Sequence, residues 1–457
     1  DCIMATGRSD YANQVNNVLG FPYIFRGALD VRATTINEDM KIACAESLAK
    51  LAREDVPDEV AAAYSGARPR YGPEYIIPAP FDPRLIRDIP PAVAKAAMKS
   101  GVAKLPIVDE DAYKNRLSAR LDPTADIMQP IFSKAKRLMK RVVFAEGEEE
   151  KIIRAALNFR ELGLGIPVLV GRQEKIEDTL KKIGLRPDTD IEIVNSKDTD
   201  KSEEYADFLY KRLQRKGYLR RDCLRMVNND RNIFSSCMTS LGHADAMITG
   251  TTRNYSLALE DITQVIDPIN DKRIVGISAM VSGPRTVLVA DTNVEDFPSS
   301  QRLVEISKSC VRVSKLFGFE PKVAFLSHST FGKPISRNTK HVRDAIELLK
   351  NEKVDFDFDG EMQPDVALNP KYKETYPFSK IVGNANILIM PALHSAAIST
   401  KLMKTIGGAK TIGPLLIGLG LPIEIAPLRS SPNDILNLAS VAAYSANVID
   451  YKNKKAN

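Results

Sequence analysis

Residues 142–171, VVFAEGEEEKIIRAALNFRELGLGIPVLVG, decide how this chain is read. VVFAEG is a short apolar run that stops on an acid and a glycine, the form of a buried strand. EEEKIIRAALNFRELGLG follows with the spacing of an amphipathic helix, and Gly163 stands where a C-terminal cap belongs. IPVLVG is then the next strand. The same texture recurs downstream in ADAMITG (244–250), TVLVAD (286–291), KVAFLS (322–327) and ANILIMP (385–391). Short apolar strands alternating with helices predict an α/β fold, its mainly parallel sheet covered on both faces. Ligands in such sheets bind beyond the C-terminal ends of the strands, so chemistry is sought there.

Upstream the texture differs. VLGFPYIF (18–25) reads strand-like, and the following stretch reads helical, with Thr35 three residues before Glu38 in capping-box spacing. Eight prolines fall between Pro57 and Pro91, which predicts an extended surface crossing. A short helix is expected over 92–99, ended by Gly101, and residues 106–133 are polar and irregular enough for a linker.

The bulk composition excludes several classes. With 64 basic and 58 acidic residues, the net charge of +6 is a small difference between interspersed numbers. The densest basic run, KAKRLMKR (134–141), contains Leu138 and Met139 and reads as a helix face, so no nucleic-acid partner is expected. Five scattered cysteines, with no C-x-x-C, suit a reducing cytoplasm. No apolar run is long enough to span a bilayer, and no signal peptide is visible. Asp1 is not a native start, so the chain is expected to belong to a longer polypeptide. Histidines at 243, 328, 341 and 394 are too dispersed to suggest a metal cluster.

The stretch TGRSDYANQVNN (6–17) is rich in amides and turn formers. Its carboxamides both donate and accept, as a hydroxy-acid ligand would require, although Asn, Asp and Gly also simply build turns. The longer segment ATGRSDYANQVNNVLGFPYIFRGALDVRATTINEDMKIACAESLAKLA resembles the end of the nucleotide-binding domain of bacterial malic enzymes, and FDPRL…PAVAKAAMKSGVA resembles that family's returning C-terminal stretch. The resemblance covers residues 1–105. It implies the C-terminal segment of a Rossmann-like domain, in which Asn16 and Asn17, and Asn13 beside them, border the malate and nicotinamide site. It further implies NADP and a divalent metal (Mg or Mn) in the complete enzyme. The family's catalytic Tyr and Lys, its acidic metal ligands and its glycine-rich loop lie upstream of the segment present here. No catalytic residue and no metal ligand is therefore assigned to this chain.

Residues 134–457 resemble phosphate acetyltransferases through VVFAEGEEEKIIRAA, LSHSTFG, DGEMQPDVAL, VGNANILIMPALHSAAISTKL and GGAKTIGPLLIGLGLPI. This implies a two-subdomain, three-layer αβα domain with a coenzyme A pocket between the subdomains. Candidate acetyl-CoA contacts are Thr251 and Arg253 after ADAMITG, and Ser327, Ser329, Thr330, Gly332 and Lys333 after KVAFLS. Glu361 and Gln363 in DGEMQ, and Ser395 after ILIMP, complete the strand-end set. Turn and cap chemistry is the plainer account of the same residues. The family's P-V-N-D-L-S-R-G segment corresponds to PIEIAPLRSS, starting at Pro422. Read without gaps, Pro427 replaces the Ser and Leu428 the Arg that contact phosphate and thioester; a one-residue shift places Arg429 at the Arg position. Proline brings neither hydroxyl nor N–H, so little transferase turnover is expected.

A malic enzyme followed by such a domain resembles the hybrid malic enzymes of bacteria. That implies an NADP-dependent, malate-decarboxylating oxidoreductase inhibited allosterically by acetyl-CoA. It also implies a homo-oligomer with dimer contacts through residues 134–457, and allows a hexamer overall. An active phosphate acetyltransferase and a purely structural assembly domain are the competing readings.

Overall fold

The structure is a computed structural model that describes residues 2–8, 10–56, 60, 69–80, 82–118, 124–184, 191–197, 200–269, 273–283, 285–332 and 339–456. The chain divides into two compact units, Asp1–Asp126 and Ile127–Asn457.

The first unit is helical; its described residues form no strand longer than an isolated bridge. VLGFPYIF, expected to be strand-like, enters the helix Phe21–Asp30. An aromatic run of this length satisfies either period, and here Gly27 and Ala28 face inward while Phe21, Phe25 and Leu29 stay exposed. The helix Glu38–Arg53 is capped by Asn37, which accepts from the Met40 N–H at 3.1 Å, rather than by Thr35. The Asn37 amide also donates to Ser100 Oγ at 2.8 Å.

Both helices pack on a third, Arg84–Lys99, which takes Pro90 and Pro91 into its interior instead of leaving them in an extended crossing. Each proline costs a backbone hydrogen bond. Burial of Leu85, Ile89, Val93, Ala94 and Ala97 along one face outweighs that loss. Residues 106–133, expected to be irregular, carry the helix Glu110–Ser118 and most of Ala125–Leu138.

The second unit is α/β, as expected. Five strands, β1 (Arg141–Phe144), β2 (Ile166–Val170), β3 (Glu192–Val194), β4 (Ala246–Thr249) and β11 (Ile423–Ile425), form a wholly parallel sheet in the order β11-β4-β1-β2-β3. The other six, β5 (Val275–Ser282), β6 (Arg285–Ala290), β7 (Lys322–Leu326), β8 (Asp357–Met362), β9 (Ile387–Ile389) and β10 (Lys410–Ile417), form a mixed sheet in the order β10-β5-β6-β9-β7-β8. Its β6-β9-β7-β8 portion is parallel, whereas β10 and β5 close one side with antiparallel pairs.

Alternation along β1 shows why the five-stranded sheet is covered twice. Val142 and Phe144 enter a core shared with the helices Glu150–Glu161 and Pro432–Ala456, while Val143 and Ala145 enter one built on Lys201–Leu213, Arg220–Asn229 and Arg231–Ser240. Burying each large side chain contributes roughly 1.5–3 kcal/mol. The helix Glu150–Glu161 ends as the sequence predicts: Gly163 has φ 64°, its N–H meets the Arg160 carbonyl, and the Leu164 N–H meets Phe159.

Among the described residues no helix is long and apolar enough to cross a membrane. All five cysteines are free, four buried and Cys2 exposed.

Gly27 is the contact point of the first unit, because a Cβ there would lie 2.6 Å from the Pro90 carbonyl and 2.9 Å from the Val93 Cβ. We expect Gly27→Val to separate these helices and lower unfolding stability by about 1–3 kcal/mol in denaturant titration.

Candidate functional site

The parallel strands of the second unit end in loops held by acids. At β7 and β8 the register steps from Phe325 opposite Gly360 to Leu326 opposite Met362, which makes Glu361 the extra residue of a bulge. A bulge re-aims a side chain. Here Glu361 is 1% exposed, and its Oε1 accepts from Ser329 Oγ (2.9 Å), the Gly332 N–H (3.1 Å) and the Arg343 guanidinium (3.4 Å). Gly360 permits the approach: its φ is +148°, and a Cβ would meet the Phe325 carbonyl at 2.7 Å.

The loop is stitched further by the Phe331 N–H to the Glu361 carbonyl (2.8 Å), the Gln363 N–H to Thr330 Oγ1 (3.2 Å) and Gln363 Nε2 to the His328 carbonyl (2.7 Å). Ser327, Ser329, Thr330, Gly332, Glu361 and Gln363 are thus one cluster, as their common strand ends imply. Within it Ser329 is fully buried and spends its hydroxyl on Glu361, while Gln363 is exposed and Thr330 and Gly332 are half-buried. Lys333 lies outside the described residues. Ser395, near the start of the helix Leu393–Thr405 that follows β9, donates to the Ala392 carbonyl at 2.6 Å.

The five-stranded sheet repeats the device. Glu146, just beyond β1 and 3% exposed, accepts from the N–H groups of Thr251 (2.7 Å) and Thr252 (3.1 Å) and from both threonine hydroxyls. The donors that the sequence offers to a ligand here already hold a carboxylate of the chain itself. Arg253 pairs with Asp230 (2.5 Å) and Asp261 (2.6 Å). Arg429 sits on the exposed turn after β11, apart from the Ser327–Gln363 cluster in sequence and sheet, with Pro427 half-buried and Leu428 46% exposed beside it. The loops after β4 and β11 touch, the Ala426 N–H reaching the Thr249 carbonyl at 2.6 Å. Glu146 was missed as a site residue although it is visible as the acid that ends VVFAE; its partners lie more than 100 residues away.

Between the two sheets lies a second group the sequence did not assemble. Glu424 of β11 accepts from the Leu416 N–H of β10 at 2.9 Å, bridging one sheet to the other. Burial pushes its pKa well above the ordinary 4.5, with only that N–H opposing. Asp291, the acid that ends TVLVAD, is also pushed up by burial, against four backbone donors: Asn293, Gly276, Glu295 and Val294. The buried Tyr255 hydroxyl is raised well above its usual value by burial and then by both of these acids, and it has no hydrogen-bond partner among the described residues.

In the first unit, Asn13 is buried and turns its carboxamide on the backbone, donating to the carbonyls of Met4 (3.0 Å) and Pro73 (2.7 Å) and accepting from the Ile76 N–H (2.8 Å). Asn16 accepts from the Val18 N–H at 3.0 Å, capping the short turn Asn17–Leu19, and Asn17 is exposed. Among the described residues no three His, Cys, Asp or Glu side chains gather as a metal ion would need.

Two α/β sheets with loops gathered at parallel strand ends set the class, and the chain belongs to the phosphate acetyl/butaryl transferase family, matched over residues 126–443. It is also homologous along its whole length to bacterial NADP-dependent malic enzymes: that of Rhizobium meliloti (strain 1021) is 54% identical over 447 residues, 98% of this chain and 59% of that protein. The chain therefore spans 59% of the length of that curated relative. The phosphate acetyltransferase of Clostridium acetobutylicum is 31% identical over 330 residues, 70% of this chain and 98% of that one. A phosphotransacetylase structure from Streptococcus pyogenes superposes with a TM-score of 0.64 at 28% identity, covering 70% of this chain and 99% of its own.

Two outcomes follow from the buried acids. Glu361→Ala removes the acceptor shared by Ser329, Gly332 and Arg343, and should lower stability by about 2–4 kcal/mol and accelerate proteolysis at residues 327–332. An acid bound to its proton more tightly when folded than when unfolded costs stability as pH climbs above the unfolded value. The melting-temperature advantage of Glu424→Gln over the parent should therefore grow as pH is raised from about 4.5; a constant difference contradicts a protonated Glu424.

Proposed function

We propose that this chain is the C-terminal part of an NADP-dependent malic enzyme whose acetyltransferase-like domain binds acetyl-CoA without turning it over and thereby inhibits malate oxidation. In this reading residues 1–105 complete the Rossmann-like oxidoreductase domain, 106–133 connect, and 134–457 sense. Full-length similarity to malic enzymes supports the oxidoreductase assignment, and membership of the transferase family supports a thioester ligand.

The observation that carries the sensing half is the turn after β11. Read without gaps, Pro427 and Leu428 stand there where family transferases place Ser and Arg, and Arg429 is exposed and makes no side-chain hydrogen bond or ion pair among the described residues. On that reading the two positions aimed at the reacting group bring neither hydroxyl nor cation, and the electrostatic stabilisation of an anionic transition state that such a pair supplies, roughly 3–4 kcal/mol, is lost. Ground-state binding through the rest of the ligand survives that loss.

The candidate contacts divide by exposure and charge. Thr330, Gln363, Ser395 and Arg429, none of them fully buried, and Lys333 for its charge are the residues proposed to meet acetyl-CoA directly. Ser327, Ser329, Gly332 and Glu361, with Thr251 and Arg253 on the other sheet, set the shape of the loops that carry them. The Asn16–Asn17 turn would border malate and nicotinamide once the preceding part of the polypeptide is present. NADP would accept the hydride there and the divalent metal would polarise the hydroxyl oxygen as a Lewis acid, both belonging to the whole enzyme. Linkage makes the control reciprocal: if acetyl-CoA weakens malate binding, malate weakens acetyl-CoA binding by the same factor. Because pyruvate feeds acetyl-CoA, that control is feedback.

Calorimetry with acetyl-CoA, paired with an acetyl phosphate assay, tests the sensing half. We expect saturable binding and acetyl phosphate formation at least about 100-fold below an active transferase. Robust acetyl phosphate formation establishes the transferase reading instead, and no binding leaves an assembly domain.

A further inference from the structure

The helix Phe21–Asp30 reverses the usual order of a surface helix. Its small residues Gly27 and Ala28 face inward, Gly27 against Pro90 and Val93, while its large apolar residues face water. Phe21 is 64% exposed, Phe25 42% and Leu29 68%. Spaced four apart, the three lie one above another along a single side. The rings of Phe21 and Phe25 meet edge to face with centroids 5.0 Å apart. Val18, in the turn just ahead of the helix, is exposed as well.

The polar residues do not account for that exposure. Only Arg26 and Asp30 of the ten are charged, and they are spent on each other, Arg26 Nε donating to Asp30 at 2.7 Å. Asp30 also accepts from the Tyr113 hydroxyl at 2.6 Å. No charged stripe is left opposite the inner face, and a helix that is apolar on both sides belongs in an interior. Full burial of a Phe or Leu side chain contributes roughly 1.5–3 kcal/mol, and three of them on one helix forgo it here.

What covers the stripe follows from what the first unit lacks. Its described residues form isolated bridges and no longer strand, so it holds no sheet on which a second apolar side could rest. This chain spans 59% of the length of its Rhizobium meliloti relative, and the remainder of such a polypeptide is long enough to bring one. The exposed run also starts at Val18, directly after the Asn16–Asn17 turn, so a body that completes a site at that turn reaches the stripe too.

We propose that Phe21, Phe25 and Leu29 form an intramolecular docking face, covered in the complete polypeptide by an apolar sheet face of the oxidoreductase part that lies outside this chain. The proposal rests on the reading of residues 1–105 as the end of a malic enzyme domain.

The test compares backbone hydrogen exchange in this chain and in the complete polypeptide, each at two protein concentrations. Amides within residues 21–30 should exchange at least about tenfold more slowly in the complete polypeptide, equally at both concentrations, while those of Glu150–Glu161 keep one rate throughout. Leu29→Glu should leave exchange in this chain unaltered, because residue 29 already stands in water, and should abolish the added protection in the complete polypeptide. Leu29→Met should retain it. Equal exchange in the two proteins overturns the proposal. So does protection that rises with protein concentration, which gives the face to a second copy, and so does protection that survives Leu29→Glu. Malate oxidation assayed on the same samples separates the two claims. A complete polypeptide that oxidises malate with residues 21–30 unprotected overturns the docking face and leaves the enzyme reading standing; protection in one that oxidises no malate supports the docking face while the enzyme reading fails.

Discussion

Buried carboxylates at the ends of parallel strands hold this molecule's loops in place. Glu146 beyond β1, Asp291 beyond β6 and Glu361 at the end of β8 each gather three or four donors, most of them from loop residues that no regular backbone ladder satisfies. A loop at the carboxyl end of a sheet carries N–H groups that must be paired with something. In many α/β proteins the ligand's anion supplies that partner. Here side chains of the same polypeptide supply it at three places, and the loops are shaped before any ligand arrives. Preorganisation of that kind favours recognition of a ligand's periphery and needs no reactive group at the centre.

The same arrangement separates the fold from the chemistry of its loops. The strand ends, the bulge at Glu361 and the close approach at Gly360 depend on backbone packing shared across two sheets. The turn after β11 carries Pro427, Leu428 and Arg429 outside both sheets. Glu424, a fully buried acid of β11, finds a single N–H partner on the neighbouring sheet. Holding the proton is the less costly solution for a carboxyl in that position.

Much of the sheet architecture was legible in the sequence because parallel strands are buried on both faces and read as unbroken apolar runs. VVFA, IPVLV, AMIT, TVLVA, KVAFL and ILI stand out for that reason, and each forms a strand. The antiparallel pair β5 and β10 escaped, since KTIGPLLI holds a glycine and a proline; β3 and β11 are only three residues long. VLGFPYIF misled because its aromatic residues lie on the outside of a helix, and Pro90–Pro91 because tertiary burial overrode a local preference. The site was legible as places and not as contacts: Ser329, Thr251 and Glu361 were found from the strands beside them, whereas the pairing of Ser329 with Glu361 and of Thr251 with Glu146, 32 and 105 residues apart, becomes apparent only once the strands lie side by side.

The account comes down to whether a thioester seated in the larger unit slows a reaction carried out elsewhere in the polypeptide. The most direct measurement is the initial rate of malate-dependent NADPH formation by the complete protein, at subsaturating malate, as acetyl-CoA is increased. A rate that declines to a plateau with rising acetyl-CoA, with coenzyme A release undetectable over the same interval, is the predicted result. A rate that stays constant across the titration contradicts it.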